Sequence, residues 1–308
     1  MPVVNRPGDP YTYLFVPTIG EWYCYDPHSQ PLGSGAMGTV YLGYRCCNGN
    51  KVAVKRVNDS FANNKMIRER AKQEASLTFR HPNLVEMVGY CEAQANTGPI
   101  FIISNYVNGQ NIDKFFSNQE DPDRTEKICS CICSVLDALN YIHSRGVIHR
   151  DIKPSNIMIE NGSSVRLMDL GISRVNGGNK FSVQGFIGTP EYSAPEQIVH
   201  EIEGGVARIS AATDIYELGI TFYELLAGYN PMSMESEADT LIKQMKSSLP
   251  ANQKIPKPLF HVILKATEKN PQKRYQSALD FKDAILKAQQ PEPDLITKIS
   301  NWLNSLFS

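Results

Sequence analysis

The chain has no dominant charge: 31 basic residues stand against 32 acidic ones over 308 residues. Without a net field, attraction to nucleic acid or to an anionic membrane is not implied, although a local phosphate site stays open. Long apolar runs are missing too. A membrane span needs about 18 successive apolar residues, and the apolar stretch IFIISNYV is broken by Ser104 and Asn105. The opening, MPVVNRPGDPYTYLF, has neither the basic start nor the apolar centre of an export signal. The chain therefore reads as cytoplasmic, unless it is a piece of something longer. Internal repeats and low-complexity tracts are also absent. The seven cysteines are an odd number without a framework spacing. Cys129, Cys131 and Cys133 fall two apart in a helix-patterned stretch, where such positions do not share a face, so core thiols are expected rather than a metal cluster.

What is present suits a soluble globular protein: 42% apolar and 20% charged residues, with enough chain for one large domain or two modest ones. Residues 1–22 are turn-rich and aromatic, a lead-in strand or a surface strap. GTVYLGYR (38–45) and KVAVKRV (51–57) read as a hairpin across CCNGN; Val52 and Val54 share one face, Ala53 and Lys55 the other. Residues 65–79 favour a helix ended by His81-Pro82, and LVEMVGYCE and PIFIISNYV are two further strand candidates. After Gly109 the period becomes helical. Ile128, Ile132, Val135, Leu139 and Ile142 form one apolar face over 124–144, and 212–227 is apolar nearly all round, a buried helix. Helical stretches are expected near 235–247, 256–267 and 277–289. Beyond Gln290, Leu295, Ile299, Trp302, Leu303 and Leu306 make a stripe that docks on the main body, pairs with a partner or lies on a membrane.

LGSGAMGTVY (32–41) places glycines at 33, 35 and 38 ahead of strand-forming Thr39-Val40-Tyr41. A dinucleotide fold wants a helix there; two strands joined by a glycine flap instead bring backbone N–H groups close to a polyphosphate. Lys55, on the second strand, can neutralise phosphate oxygens. Its carboxylate partner on the following helix is Glu74 or Glu69, of which Glu74 is preferred. Downstream, HRDIKPSN (149–156) gathers a carboxylate, an ammonium and a carboxamide. Phosphoryl transfer asks a protein for alignment and charge compensation. Asp151 can orient a hydroxyl and take its proton, and Lys153 can meet the developing negative charge. Asn156 and Asp169 can hold Mg²⁺ through oxygen, with Gly171 freeing the turn that presents Asp169.

Together these motifs resemble the eukaryotic-type serine/threonine protein kinase family over residues 23–288: GSGAMG as glycine loop, VAVK, HRDIKPSN, DLG at 169–171, and GTPEYSAPE at 188–196. The resemblance implies an α+β, bilobal fold. A lead-in at 1–22 would precede a β-rich N-lobe at 23–107, with a hinge near 104–109, then a helical C-lobe at 108–289 and an amphipathic tail at 290–308. It implies transfer of the ATP γ-phosphoryl group, with Mg²⁺ (Mn²⁺ as an alternative ion), to serine or threonine hydroxyls of proteins. Self-association for trans-autophosphorylation is a further implication. The nucleotide would meet Gly33, Ser34, Gly35, Ala36, Met37 and Gly38, with Val40 and Ala53 above the adenine. Ser104 would guard the back pocket, Asn105, Tyr106 and Val107 would form the hinge, and Asn111 would lie near the ribose. Thr189 would bond near Asp151 and Lys153, Glu196 would pair with Arg274, and Asp214 would brace the catalytic loop, with His149 packing behind Asp151. Arg150 would greet a phosphate on Ser182 or, second, Thr189. Two departures stand out: leucine replaces the usual phenylalanine in DLG, and the chain from Glu74 to His81 is two residues short. Counting back from HPN therefore reaches Lys72, whereas counting forward from Lys55 reaches Glu74, which charge favours. A kinase-shaped, nucleotide-binding scaffold is the rival; retention of Lys55, Asp151, Asn156 and Asp169 argues against it.

Overall fold

The computed structural model describes residues 2–35, 38–59, 65, 68, 69, 72, 79–93, 98–118, 120–169, 189–203 and 209–290. The first part of the chain is one twisted sheet. Its strands are β1 (Val3–Asn5), β2 (Thr12–Val16), β3 (Glu21–Tyr25), β4 (Gly33–Gly35), β5 (Gly38–Arg45), β6 (Lys51–Val57), β7 (Met87–Glu92) and β8 (Ile100–Asn105). Their order is β1-β2-β3-β5-β6-β8-β7, with β4 paired to β5. The β5–β6 hairpin forms across the expected turn, with Val40 opposite Lys55 and Leu42 opposite Ala53. Residues 1–22 are more than a lead-in. The boundary drawn at 22/23 cuts through the β2–β3 hairpin, in which Phe15 faces Trp22 and Val16 faces Glu21. This extra edge curls round to β7: a side chain at Gly89 would collide with Val16 Cγ1, and the Cys91 thiol reaches the Pro2 carbonyl at 3.2 Å. The sheet is thereby nearly closed into a barrel. Leu14, Val16, Tyr23, Val52, Val54, Phe101 and Ile103 fill it.

The second lobe is helical: α1 (Ile112–Phe115), α2 (Arg124–His143), α3 (Pro195–Glu203), α4 (Ala211–Ala227), α5 (Glu237–Lys246), α6 (Lys257–Ala266) and α7 (Ala278–Ala288). A small sheet joins β9 (Gly109–Asn111), β10 (Ile157–Glu160) and β11 (Ser164–Leu167), with β10 in the middle. α4 runs through the centre, as its all-round apolar pattern requires. It starts at Ser210, whose N–H donates to Thr213 Oγ1 (3.2 Å), and ends at Gly228 in the left-handed region (φ 87°). α2 buries Ile128, Ile132, Val135, Leu139 and Ile142, the predicted face, against α4 and α7. Cys129 and Cys133 lie in the same core, and burial pushes the Cys129 thiol up to about 12. The helices expected near 235–247, 256–267 and 277–289 are α5, α6 and α7, each slightly shorter. No helix among the described residues is long and apolar enough to cross a membrane. The stripe from Leu295 to Leu306 lies outside the described residues.

Candidate active site

Strand register places four of the nucleotide-site candidates together. In antiparallel pairs, directly opposite residues share a face. Val40 is opposite Lys55, and Ala53 is opposite Ser104, so these four line one face of the sheet. The other face, with Val52, Val54 and Ile103, is the barrel core. Asn105 has the opposite parity: it pairs with Val52, its side chain donates to Glu86 Oε2 at 3.3 Å and its backbone N–H to the Glu86 carbonyl at 3.0 Å, leaving only its own carbonyl for a base. Tyr106 is half-buried with the Lys51 ammonium 5.6 Å from its ring centre, and Val107 is buried. Gly33, Ser34 and Gly35 are exposed, and a Cβ at either glycine would meet nothing within 4 Å. Gly38 differs, because a Cβ there would collide with the Arg56 carbonyl oxygen. The glycines thus divide into two open positions that let backbone approach a ligand and one required by the hairpin itself. Ala36 and Met37 lie outside the described residues.

Lys55 Nζ reaches across the cleft to Asp169 Oδ2 at 3.5 Å. Glu74 is outside the described residues. Glu69, the alternative partner, is exposed and contacts Lys72 at 3.7 Å. Lys72 is itself held by Glu92 of β7 at 2.9 Å, so the position reached by counting back from HPN is a cation engaged elsewhere.

The loop after α2 is built on buried carboxylates. Asp214, in the first turn of α4, accepts from the backbone N–H groups of His149 (2.9 Å) and Arg150 (2.7 Å) and contacts His143 Nε2 at 2.7 Å. Burial alone would raise its pKa; the His143 contact, the neighbouring His149 and the Arg150 amide outweigh it and hold the carboxyl below its usual range. One turn on, Glu217 accepts from the Ile152 N–H (2.8 Å) and from Gln197 Nε2 (2.8 Å). Sequence reasoning missed Glu217; the only signal was an acid inside a largely apolar helix, which says nothing of its partner. His149 is fully buried with Nε2 on the Met168 carbonyl (2.9 Å), and burial pushes its pKa down. Tethered in this way, Arg150 (φ 67°) and Asp169 (φ 46°) hold left-handed backbone that non-glycine residues seldom adopt.

Asp151, Lys153, Asn156 and Thr189 converge. Asn156 Nδ2 donates to the Asp151 carbonyl (2.8 Å) and to Asp151 Oδ2 (2.9 Å), which directs its amide oxygen elsewhere. Lys153 Nζ lies 3.0 Å from Asp151 Oδ2 and donates to Thr189 Oγ1 at 2.7 Å; that hydroxyl donates to Asp151 Oδ1 at 3.2 Å. Below the hinge, Asn111 is opposite Met158. Met158 is half-buried between inward-facing Ile157 and Ile159. Glu196 and Arg274 form the anticipated buried pair, at 2.7 and 2.8 Å. Leu170, Gly171 and Ser182 lie outside the described residues.

A model of the protein kinase domain matches residues 27–286. The chain belongs to the protein kinase domain family. It is 30% identical over 277 residues to the serine/threonine-protein kinase PknB of Mycobacterium leprae (strain TN), covering 87% of this chain and 43% of that protein. It is 29% identical over 264 residues to the serine/threonine-protein kinase PrkC of Bacillus subtilis (strain 168), covering 83% and 39% respectively. The chain thus spans less than half the length of these curated relatives. In fold it resembles the Mycobacterium tuberculosis PknI kinase domain, with a TM-score of 0.62 at 23% identity over 86% of this chain and 96% of that one. The two lobes described above are the β-rich and helical lobes of the kinase fold. The family model begins at residue 27, so β1, β2 and β3 precede the matched segment.

Proposed function

We propose that this chain transfers the γ-phosphoryl group of ATP to serine and threonine hydroxyls of proteins, its own included, with Mg²⁺. The observation that carries the reading is the setting of the Thr189 hydroxyl, which donates to Asp151 and accepts from Lys153. An acceptor alcohol needs the same polarity: a carboxylate to take its proton and an ammonium beside the oxygen where negative charge develops. The residues fit the metal as well. Asn156 turns its amide N–H groups to Asp151, so its oxygen is left to face a cation, and Asp169 offers a carboxylate that is 53% exposed. Both are hard oxygen donors of the kind Mg²⁺ takes. When bound, Mg²⁺ would neutralise phosphate charge. Lys55 would then divide its charge between Asp169 and the phosphates, under the glycine flap. Val40, Ala53 and Met158 would enclose the adenine, and Asp151 would orient the hydroxyl.

The test is γ-phosphate transfer from labelled ATP to a generic protein acceptor, followed by phosphoamino acid analysis. Wild type should label serine or threonine, and Asp151→Ala should lose about 10²–10⁴-fold in rate. Absence of transfer by folded wild type, with nucleotide still bound, would instead identify a scaffold.

A further inference from the structure

The turn that carries Thr189 is held at two points. One is Thr189 itself, on Asp151 and Lys153. The other is the Glu191 carbonyl oxygen, which accepts from Asn230 Nδ2 at 3.2 Å and from Gln244 Nε2 at 2.5 Å. Gln244 is fully buried on α5, far along the chain from the turn it touches. A chain of contacts behind it sets the direction of its carboxamide. Lys269 Nζ, which can only donate, bonds the Tyr216 hydroxyl at 2.6 Å and lies 4.9 Å from that ring's centre. The hydroxyl therefore donates onward to Gln244 Oε1, at 2.6 Å. With its oxygen engaged, the carboxamide presents N–H to Glu191. Burial pushes Lys269 down to about 8, which leaves it a donor at neutral pH.

We infer that Gln244 and Asn230 are positioning residues for the acceptor platform, holding the Glu191 peptide so that the Thr189 hydroxyl stays between Asp151 and Lys153. The inference rests on the phosphotransfer reading above. Its physical basis is short-range stiffness. Only Pro190, whose ring fixes one of the few torsions between them, separates Glu191 from Thr189, so little chain is available to absorb a displacement of the Glu191 carbonyl before it reaches Thr189. Within the turn, Tyr192 N–H donates to the Thr189 carbonyl (3.1 Å) and Ser193 N–H to the Pro190 carbonyl (3.3 Å). These two amides report on its integrity without any need for catalysis.

The experiment uses the full chain with a serine-containing acceptor peptide, and compares Gln244→Leu, Asn230→Ala and, as an exposed α5 control, Ile242→Ser. Loss of one positioned hydrogen bond should raise the peptide KM about tenfold while the ATP KM is unchanged. Amide exchange of Tyr192 and Ser193 should accelerate in the first two variants and not in the control. Asn230→Ala, at a half-buried site, covers the case in which Gln244→Leu fails to fold. Unchanged exchange in the folded variants overturns the inference, as does an equal change in both KM values. Should wild type transfer no phosphoryl group, the functional reading falls, and exchange alone decides whether the carboxamides hold the turn.

Discussion

Replacing Arg274 tests how the helical lobe is held together. Its guanidinium has five N–H groups, and each has an acceptor. Nε donates to the Glu268 carbonyl (2.7 Å). Nη1 donates to Glu196 Oε1 (2.7 Å) and the Ala212 carbonyl (2.8 Å). Nη2 donates to Glu196 Oε2 (2.8 Å) and the Lys269 carbonyl (3.2 Å). The Arg274 side chain is 0% exposed and that of Glu196 8%. Arg274→Met takes the cation from this buried carboxylate, leaving it only the Thr213 hydroxyl at 2.9 Å, and removes a donor from three carbonyls. Removing one partner of a buried pair costs about 3–5 kcal/mol, or roughly 6–20 °C in melting temperature for a chain of this size. Arg274→Lys should not rescue, because three donors on a point charge cannot reproduce a five-donor fork. Adding Glu196→Gln to Arg274→Met should cost less than the sum of the two single changes, since the orphaned charge is removed. The assay is thermal unfolding of wild type and these variants side by side. A fall below about 2 °C for folded Arg274→Met, or strict additivity in the double variant, would refute the argument.

Other expectations follow from the same geometry. Gly38→Ala drives a methyl against the Arg56 carbonyl and should cost about 1–3 kcal/mol in denaturant unfolding; Gly35→Ala, which meets nothing, should leave stability unchanged and act only on nucleotide affinity. His149 is buried, and burial holds its pKa below the usual histidine value of about 6.5. Unfolded chains therefore take up its proton first, and stability should fall as pH drops below about 6.5, with a slope approaching 1.4 kcal/mol per pH unit. His149→Gln should remove that slope, and an identical slope in the variant would contradict the assignment. Thr189→Ser keeps both hydroxyl contacts and should retain activity, whereas Thr189→Ala should lower kcat about tenfold. Equal rates for the two variants would mean that the hydroxyl has no role.

The parts of the site that were legible in the sequence are those in which chemistry is packed into a few consecutive residues. Asp151, Lys153 and Asn156 sit within one tight loop, so their mutual reach follows from chain geometry. Lys55 shares a strand face with Ala53 by simple alternation, and the apolar period of α2 marks the face that it buries. Glu217 was less visible, because nothing near it in sequence reveals that it receives the Ile152 amide 65 residues away. The side-chain direction of Asn105 was not legible either, because it depends on sheet parity, which is set by its pairing with Val52.

Local spacing alone marked a strand-rich part followed by a helix-rich part, and the glycine and HRDIKPSN motifs within them, because backbone sterics and hydrophobic period act over only a few residues. Tertiary structure decided what depends on closure of the whole chain. It seated Val16 against Gly89, so that residues 2–25 nearly close a barrel, and it set Lys55 against Asp169 and Gln244 under Glu191. Those contacts are selected by the collective fit of distant surfaces, and no short stretch of sequence carries that information.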